Sequence, residues 1–246
     1  MALREEFEAA GNWLFRRRSY LPVLLLPILF ADIAGVRYPA AGQAPGPAWE
    51  GLCLLVSILG LGVRVVTVGF APAGTSGRNT GRQVAAVLNT TGMYSVVRHP
   101  LYVGNYLLWL GVAALPGLPW SPLVVTLVFW LYYERIMFAE EEFLRRSFGA
   151  AYAQWADVTP AIIPRLSRWR PPAVPFSVRT VLRREYPGWW ALVASFTVVH
   201  FAGDLVRTGR PGLAPGWGAA FVGTTIVCSA LRLLKRRTRL LHVEGR

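Results

Sequence analysis

"SVVRHPLYVGNYLLWLGVAAL", residues 95–115, sets an Arg, a His and a Pro side by side at the mouth of an apolar run. Whether that run enters a membrane decides the fold. Crossing the hydrocarbon core takes about 20 mostly apolar residues, wound as a helix so that every backbone polar group is satisfied within the segment. The chain offers six such runs, at Tyr20–Val36, Gly51–Phe70, Tyr102–Leu118, Leu123–Phe138, Gly188–Val206 and Trp217–Leu234. The third and fourth are short and share the turn "LPGLPWSP", so they read as a helical hairpin. The first has a basic start but no small-residue cleavage site, and it is expected to be retained rather than removed as a signal. The expected fold class is an all-α integral membrane protein of about six transmembrane helices.

Composition agrees. Of 246 residues, 54% are hydrophobic and 16% charged, which sets the chain apart from an average soluble domain. The net charge of +13 raises the question of nucleic-acid binding. Its distribution answers otherwise. The basic residues concentrate in the N-terminal tail, the Ala71–Leu101 loop, the Ala139–Pro187 loop and the C-terminal tail, whereas the alternate loops hold only Arg37, Arg207 and Arg210. Basic residues accumulate on the cytoplasmic side of membrane proteins, so both termini and both large loops are expected there, with anionic lipids as partners and no nucleic acid. Cys53 and Cys228 fall inside runs and read as packing residues. No metal ligand set is spaced along the chain.

Polar material interrupts the runs at two places. The Ala71–Leu101 loop opens with "APAGTSGRNTGRQ" and turns apolar at "VAAVLNTTGMY". From Ala139 to Trp155 the apolar residues recur at helical spacing, predicting an extension of the fourth span, bent near Gly149. The prolines of "VTPAIIPRLSRWRPPAVPF" then end any helix. This divides the chain into a four-span core, residues 1–170, and an appended pair of spans, residues 171–246.

The chemistry gathers at the hairpin. Pro100 suits the first turn of a helix, whose free N–H groups attract anions, and Arg98 and His99 add charge and directional donors. These residues could equally be lipid-headgroup anchors. Glu140, Glu141 and Glu142 sit at the far end of the fourth span, where a helix C-terminus disfavours carboxylates. The tight turn brings the two ends together, so Arg98 and His99 face Glu140 and Glu141, with Tyr94, Tyr102 and Tyr152 nearby. Such a set makes either a structural ion pair or a clamp for a zwitterion.

"GMYSVVRHPLYVGN", "EEEFLRRSFGAAYAQW" and "TPAIIP", in that order, resemble the isoprenylcysteine carboxyl methyltransferase family and its phospholipid methyltransferase relatives, in a bacterial form. The matching positions are Arg98, His99, Pro100, Tyr102 and Gly104, then Glu140, Glu141, Leu144, Phe148, Gly149 and Tyr152, then Pro164. The likeness covers Gly77 to Pro164. It implies a methyltransferase that uses S-adenosylmethionine and a lipophilic or prenylated acceptor arriving from the bilayer. It also implies cofactor contacts by Leu88, Tyr94, His99, Pro100, Leu101, Tyr102, Glu140 and Glu141. A carboxylate acceptor would need a guanidinium to hold it. Arg135, inside a span, is the first candidate and Arg98 the second, while pairing of Arg135 with Glu134 or Glu141 is its structural alternative.

No G-x-G-x-x-G follows a strand, so a Rossmann-type methyltransferase is excluded. Gly60 and Gly62 read as close helix packing. The alternatives are a lipid amine N-methyltransferase, an NADPH-dependent sterol-type reductase with a similar R-H-P-x-Y element, and a non-catalytic membrane scaffold. Asp32 and Asp204 are expected to lie near the far interface or to pair with Arg37 and Arg207, and His200 to be a helix-packing or interfacial residue rather than a proton relay.

Overall fold

The computed structural model describes residues 2–18, 46–75, 83 and 85–244. Among them are six α-helices: α1 (Leu3–Arg17), α2 (Pro47–Gly69), α3 (Pro100–Ala114), α4 (Trp120–Val158), α5 (Val178–Thr208) and α6 (Pro215–Arg237). No strand occurs among these residues, only one isolated bridge between Gly92 and Arg170. Helices α2, α4, α5 and α6 are long and apolar enough to cross a membrane. The all-α integral membrane class read from the sequence is the one observed. The first run, Tyr20–Val36, and the pair Asp32 and Arg37 lie outside the described residues.

The third run is corrected. Its helix starts at Pro100 and ends at Ala114, because Pro116 and a left-handed Gly117 (φ 79°) break it. Fifteen residues rise only about 22 Å, short of a hydrocarbon core of about 30 Å. It is held instead by close backbone contact with α2: a Cβ on Gly60 would lie 2.5 Å from the Gly104 carbonyl, and Gly111 has no room against Ser57. The Ser57 hydroxyl donates to the Leu108 carbonyl at 3.0 Å within this seam. Gly62, in contrast, meets nothing within 4 Å and has no packing role.

Cys53, Leu108, Val112, Val125 and Phe196 share one buried cluster, which joins α2, α3, α4 and α5. The opposite faces stay apolar and exposed, with Leu55 and Leu59 on α2, Leu127 and Leu131 on α4 and Ile226 on α6. Large apolar faces turned outward suit lipid, not water.

The N-terminal tail, unassigned in the sequence, is helix α1, packed antiparallel on α4. Gly11 presses against the Arg135 carbonyl, the Phe7 and Phe138 rings meet edge-on at 5.9 Å, and the Tyr132 hydroxyl donates to the Leu14 carbonyl at 3.1 Å. The bend expected near Gly149 is present, with φ 50° and ψ −122° there. It turns the last part of α4 back so that the Trp155 indole donates to the Tyr94 carbonyl at 3.0 Å. Residues 159–177 then run as a strap beside residues 91–99 and reach α2, where the Ser177 amide donates to the Gly69 carbonyl at 2.9 Å.

Candidate functional site

The site forms where the loop at residues 92–99 enters α3 and meets the bend-side half of α4. His99 is the residue before the first turn of α3, with Pro100 in that turn. The Arg98 amide donates to the Pro160 carbonyl at 2.8 Å and the His99 amide to Ala161 at 3.2 Å, so the strap fixes the backbone of both residues.

Three adjacent glutamates point about 100° apart around a helix, so they cannot share one task. Glu140 accepts from the Tyr102 hydroxyl at 2.8 Å and lies 3.6 Å from Arg18 and 3.7 Å from His99 Nδ1. Glu141 lies 2.9 Å from His99 Nε2 and 3.1 Å from Arg98 Nε. Glu142 turns to α1 and pairs with Arg4, with Arg145 at 3.8 Å. Two of the three therefore build the site, and the third pins α1.

His99 is buried and stacks on Tyr102 with ring centroids 5.7 Å apart. Tyr102 meets Tyr133 at 4.7 Å, and Tyr133 stacks on Phe129 at 4.0 Å. A column of rings thus leads from the charged cluster into the α3–α4 hairpin. Burial, and then the nearby Glu140 carboxylate, push the Tyr94 phenol above the ordinary tyrosine range. It stays neutral at physiological pH and keeps a proton to donate.

The structure brings Arg98, His99, Pro100, Tyr102, Glu140 and Glu141 to one place, with Leu101 in the same first turn and Tyr94 on the loop that leads into it. Leu88 is partly buried in the preceding loop. Arg135 is placed elsewhere. Its guanidinium lies over the Phe7 ring of α1 at 4.6 Å, and among the described residues it makes no ion pair with Glu134 or Glu141. Five residues separate it from Glu140, a rotation of about 140° around the helix, so it turns away from the cluster.

Two groups went unread in the sequence. Arg18, one of three consecutive arginines that resemble a membrane-flanking run, reaches Glu140. Arg64 of α2 forms a buried fork with Glu185 of α5, at 2.8 and 2.9 Å, and donates to Asn105 Oδ1 of α3 at 2.5 Å. Asn105 in turn donates to the Tyr133 hydroxyl at 3.3 Å. An Arg inside one apolar run and a Glu at the edge of another were the available signal, since intramembrane charges need partners. Asp204 pairs with Arg207, one of the two placements expected for it. His200 lies 3.2 Å from Glu50 and stacks on Trp217 at 5.3 Å, a bundle contact. Among the described residues, no group of three or more His, Cys, Asp or Glu is placed to hold a metal ion.

The phospholipid methyltransferase family model matches residues 52–151, which contain the glycine seam, the loop, the hairpin and the glutamates. The cobalt-zinc-cadmium resistance protein CzcN of Cupriavidus metallidurans is 35% identical over 168 residues, covering 64% of this chain and 75% of the relative. The nickel-cobalt-cadmium resistance protein NccN of Alcaligenes xylosoxydans xylosoxydans is 36% identical over 47% of this chain and 53% of its own. The protein-S-isoprenylcysteine O-methyltransferase of Schizosaccharomyces pombe is 38% identical over 78 residues, 32% of this chain and 33% of the relative. No solved structure matches the chain.

Proposed function

The chain belongs to the isoprenylcysteine carboxyl methyltransferase-like family of membrane proteins, related to the phospholipid methyltransferases, and from that premise we propose that it methylates the carboxylate of a lipophilic acceptor with S-adenosylmethionine. One observation carries the reading: Arg98 and His99, fixed by the strap at the start of α3, face Glu140 and Glu141 in a half-buried cluster beside an aromatic column.

The donor set fits the cofactor. S-adenosylmethionine is a zwitterion with a ribose, and the cluster offers two carboxylates for its amino group and hydroxyls, and cationic and phenolic donors for its carboxylate. When bound it supplies a methyl group already activated on sulfur, and an ionised carboxylate acceptor needs no general base. What remains for the protein is alignment and exclusion of water. Glu140, held by Tyr102, and Glu141, held by His99, keep fixed acceptor positions. The Tyr94 phenol and the His99 ring supply donors beside them. Trp155, which holds the Tyr94 backbone from the returning arm of α4, helps to close the site from water.

The acceptor carboxylate is assigned to Arg98, which stands in the cluster, in preference to Arg135, which faces α1. A guanidinium matches a carboxylate through its planar fork. The acceptor enters from the bilayer along the α3–α4 hairpin. The basic face, with the site and both termini, lies on the cytoplasmic side of a bacterial inner membrane.

The test is calorimetric titration of the detergent-purified chain with S-adenosylhomocysteine and, separately, with NADPH. Binding of S-adenosylhomocysteine alone, weakened about ten- to a hundredfold by Glu140→Ala and by His99→Ala, is expected from the loss of charge-assisted hydrogen bonds. NADPH binding in its place would assign the chain to the reductases.

A further inference from the structure

The strap at residues 159–177 shows one edge to the site and another to its surroundings. Its inner edge is fully engaged: the Arg165 amide donates to the Val96 carbonyl at 2.9 Å, the Gly92 amide to Arg170 at 3.0 Å, and the Arg170 amide to Ser95 Oγ at 2.9 Å. Its outer edge is apolar and basic together. Ile163 is 81% exposed, Leu166 73% and Trp169 46%. Arg165 and Arg168 stand between them and Arg170 follows, all three exposed and, among the described residues, without an ion pair.

The far end of the strap fixes its height. Ser177 bonds the last residue of α2, and Phe176 packs on Phe70 with ring centroids 5.1 Å apart, against a Gly69 that has no room for a side chain. Helix α2 is long and apolar enough to cross the membrane, and read as a span it brings its last residue to the membrane surface. A loop at that height, carrying Trp, Leu and Ile interleaved with three arginines, has the composition of an interfacial anchor. Apolar side chains sit at the boundary between headgroups and acyl chains, and arginines reach the phosphates.

We propose that the strap docks on anionic phospholipid headgroups of the bilayer that holds the protein, with Ile163, Leu166 and Trp169 inserted and Arg165, Arg168 and Arg170 on the phosphates. Nucleic acid would satisfy the arginines but would leave three large apolar side chains in water. The proposal stands apart from the catalytic reading. The site loop nevertheless hangs on the same hydrogen bonds, so the lipid surface is the support against which Arg98 and His99 are held.

The test uses the full chain with Ile163→Cys carrying a polarity-sensitive fluorophore, in nanodiscs of phosphatidylcholine with or without phosphatidylglycerol. Cys53 and Cys228 are buried, and the chain without Ile163→Cys serves as the labelling control. Phosphatidylglycerol is expected to blue-shift the probe and to make it quenchable by brominated acyl chains. Salt near about 1 M, where screening is nearly complete, should reverse the shift. Arg165→Gln with Arg168→Gln and Arg170→Gln should weaken the response roughly fivefold per arginine, while Arg236→Gln with Arg237→Gln should leave it unchanged. A water-like spectrum in both nanodiscs would overturn the proposal. So would loss of the response on the C-terminal substitutions, or a response to single-stranded RNA in phosphatidylcholine with none to phosphatidylglycerol. None of these outcomes depends on whether S-adenosylhomocysteine binds.

Discussion

Replacing Glu185 by Ala leaves Arg64 as an uncompensated charge deep in the helix bundle. In the intact chain Glu185 is 1% exposed and accepts from both Arg64 Nε and Nη2, and the same guanidinium holds Asn105 of α3. Breaking a buried ion pair by removing one partner costs about 3–5 kcal/mol. That is a change of roughly two to four orders of magnitude in the folding equilibrium. For a chain of this size it corresponds to a fall in Tm of about 6–20 °C. Arg64→Met with Glu185→Leu removes both charges and fills similar volume, so the double variant should recover most of the loss, because the cost lies in the orphaned charge rather than in the missing attraction. The assay is thermal unfolding of the detergent-solubilised chain at a fixed heating rate, followed by intrinsic tryptophan fluorescence. A single variant within about 2 °C of the parent, or a double variant as unstable as the single, would refute the reasoning. A second readout separates site from scaffold. Since Asn105 also holds Tyr133, which stacks in the ring column under Tyr102, the single variant should lose S-adenosylhomocysteine affinity even at temperatures where it is folded.

Gly60→Val should destabilise the chain by about 1–3 kcal/mol through overpacking against the Gly104 carbonyl, while Gly62→Val should be near neutral, as parallel thermal melts will show. If Arg98 holds the acceptor carboxylate, Arg98→Met should lower kcat/KM by about tenfold or more and Arg135→Met by much less, measured by transfer of labelled methyl to a prenylcysteine analogue. The reverse ranking would return that role to Arg135. The raised Tyr94 value carries a stability prediction with a definite sign. An unfolded tyrosine loses its proton near pH 10 and the folded one does so higher, so above about pH 10 the unfolded state binds fewer protons and Tyr94 makes stability fall as pH rises. Tyr94→Phe should flatten that limb of the stability curve.

Much of the site was legible because its parts are local. The R-H-P stretch and the Glu pair each lie within a few residues, and a tight turn between two short apolar runs brings their ends together without further information. What joins elements far apart in sequence was not legible. The strap read as a boundary because its prolines end a helix, yet its backbone bonds Arg98 and His99. The N-terminal tail read as a charged flank because Arg16, Arg17 and Arg18 dominate it, yet Phe15 and Gly11 bury it against α4. Arg135 attracted attention as an intramembrane charge. Only its rotation around α4 shows that it faces Phe7.

By itself the sequence determined that this is an all-α membrane protein with its charged chemistry at the hairpin ends, because hydropathy, proline and glycine act over one or two helical turns and are written in order along the chain. The tertiary structure decided which charges meet. A side chain's direction around its helix, and the partner waiting across 42 residues for His99 and Glu141 or 121 for Arg64 and Glu185, are set by packing angles and backbone approach that no local pattern encodes.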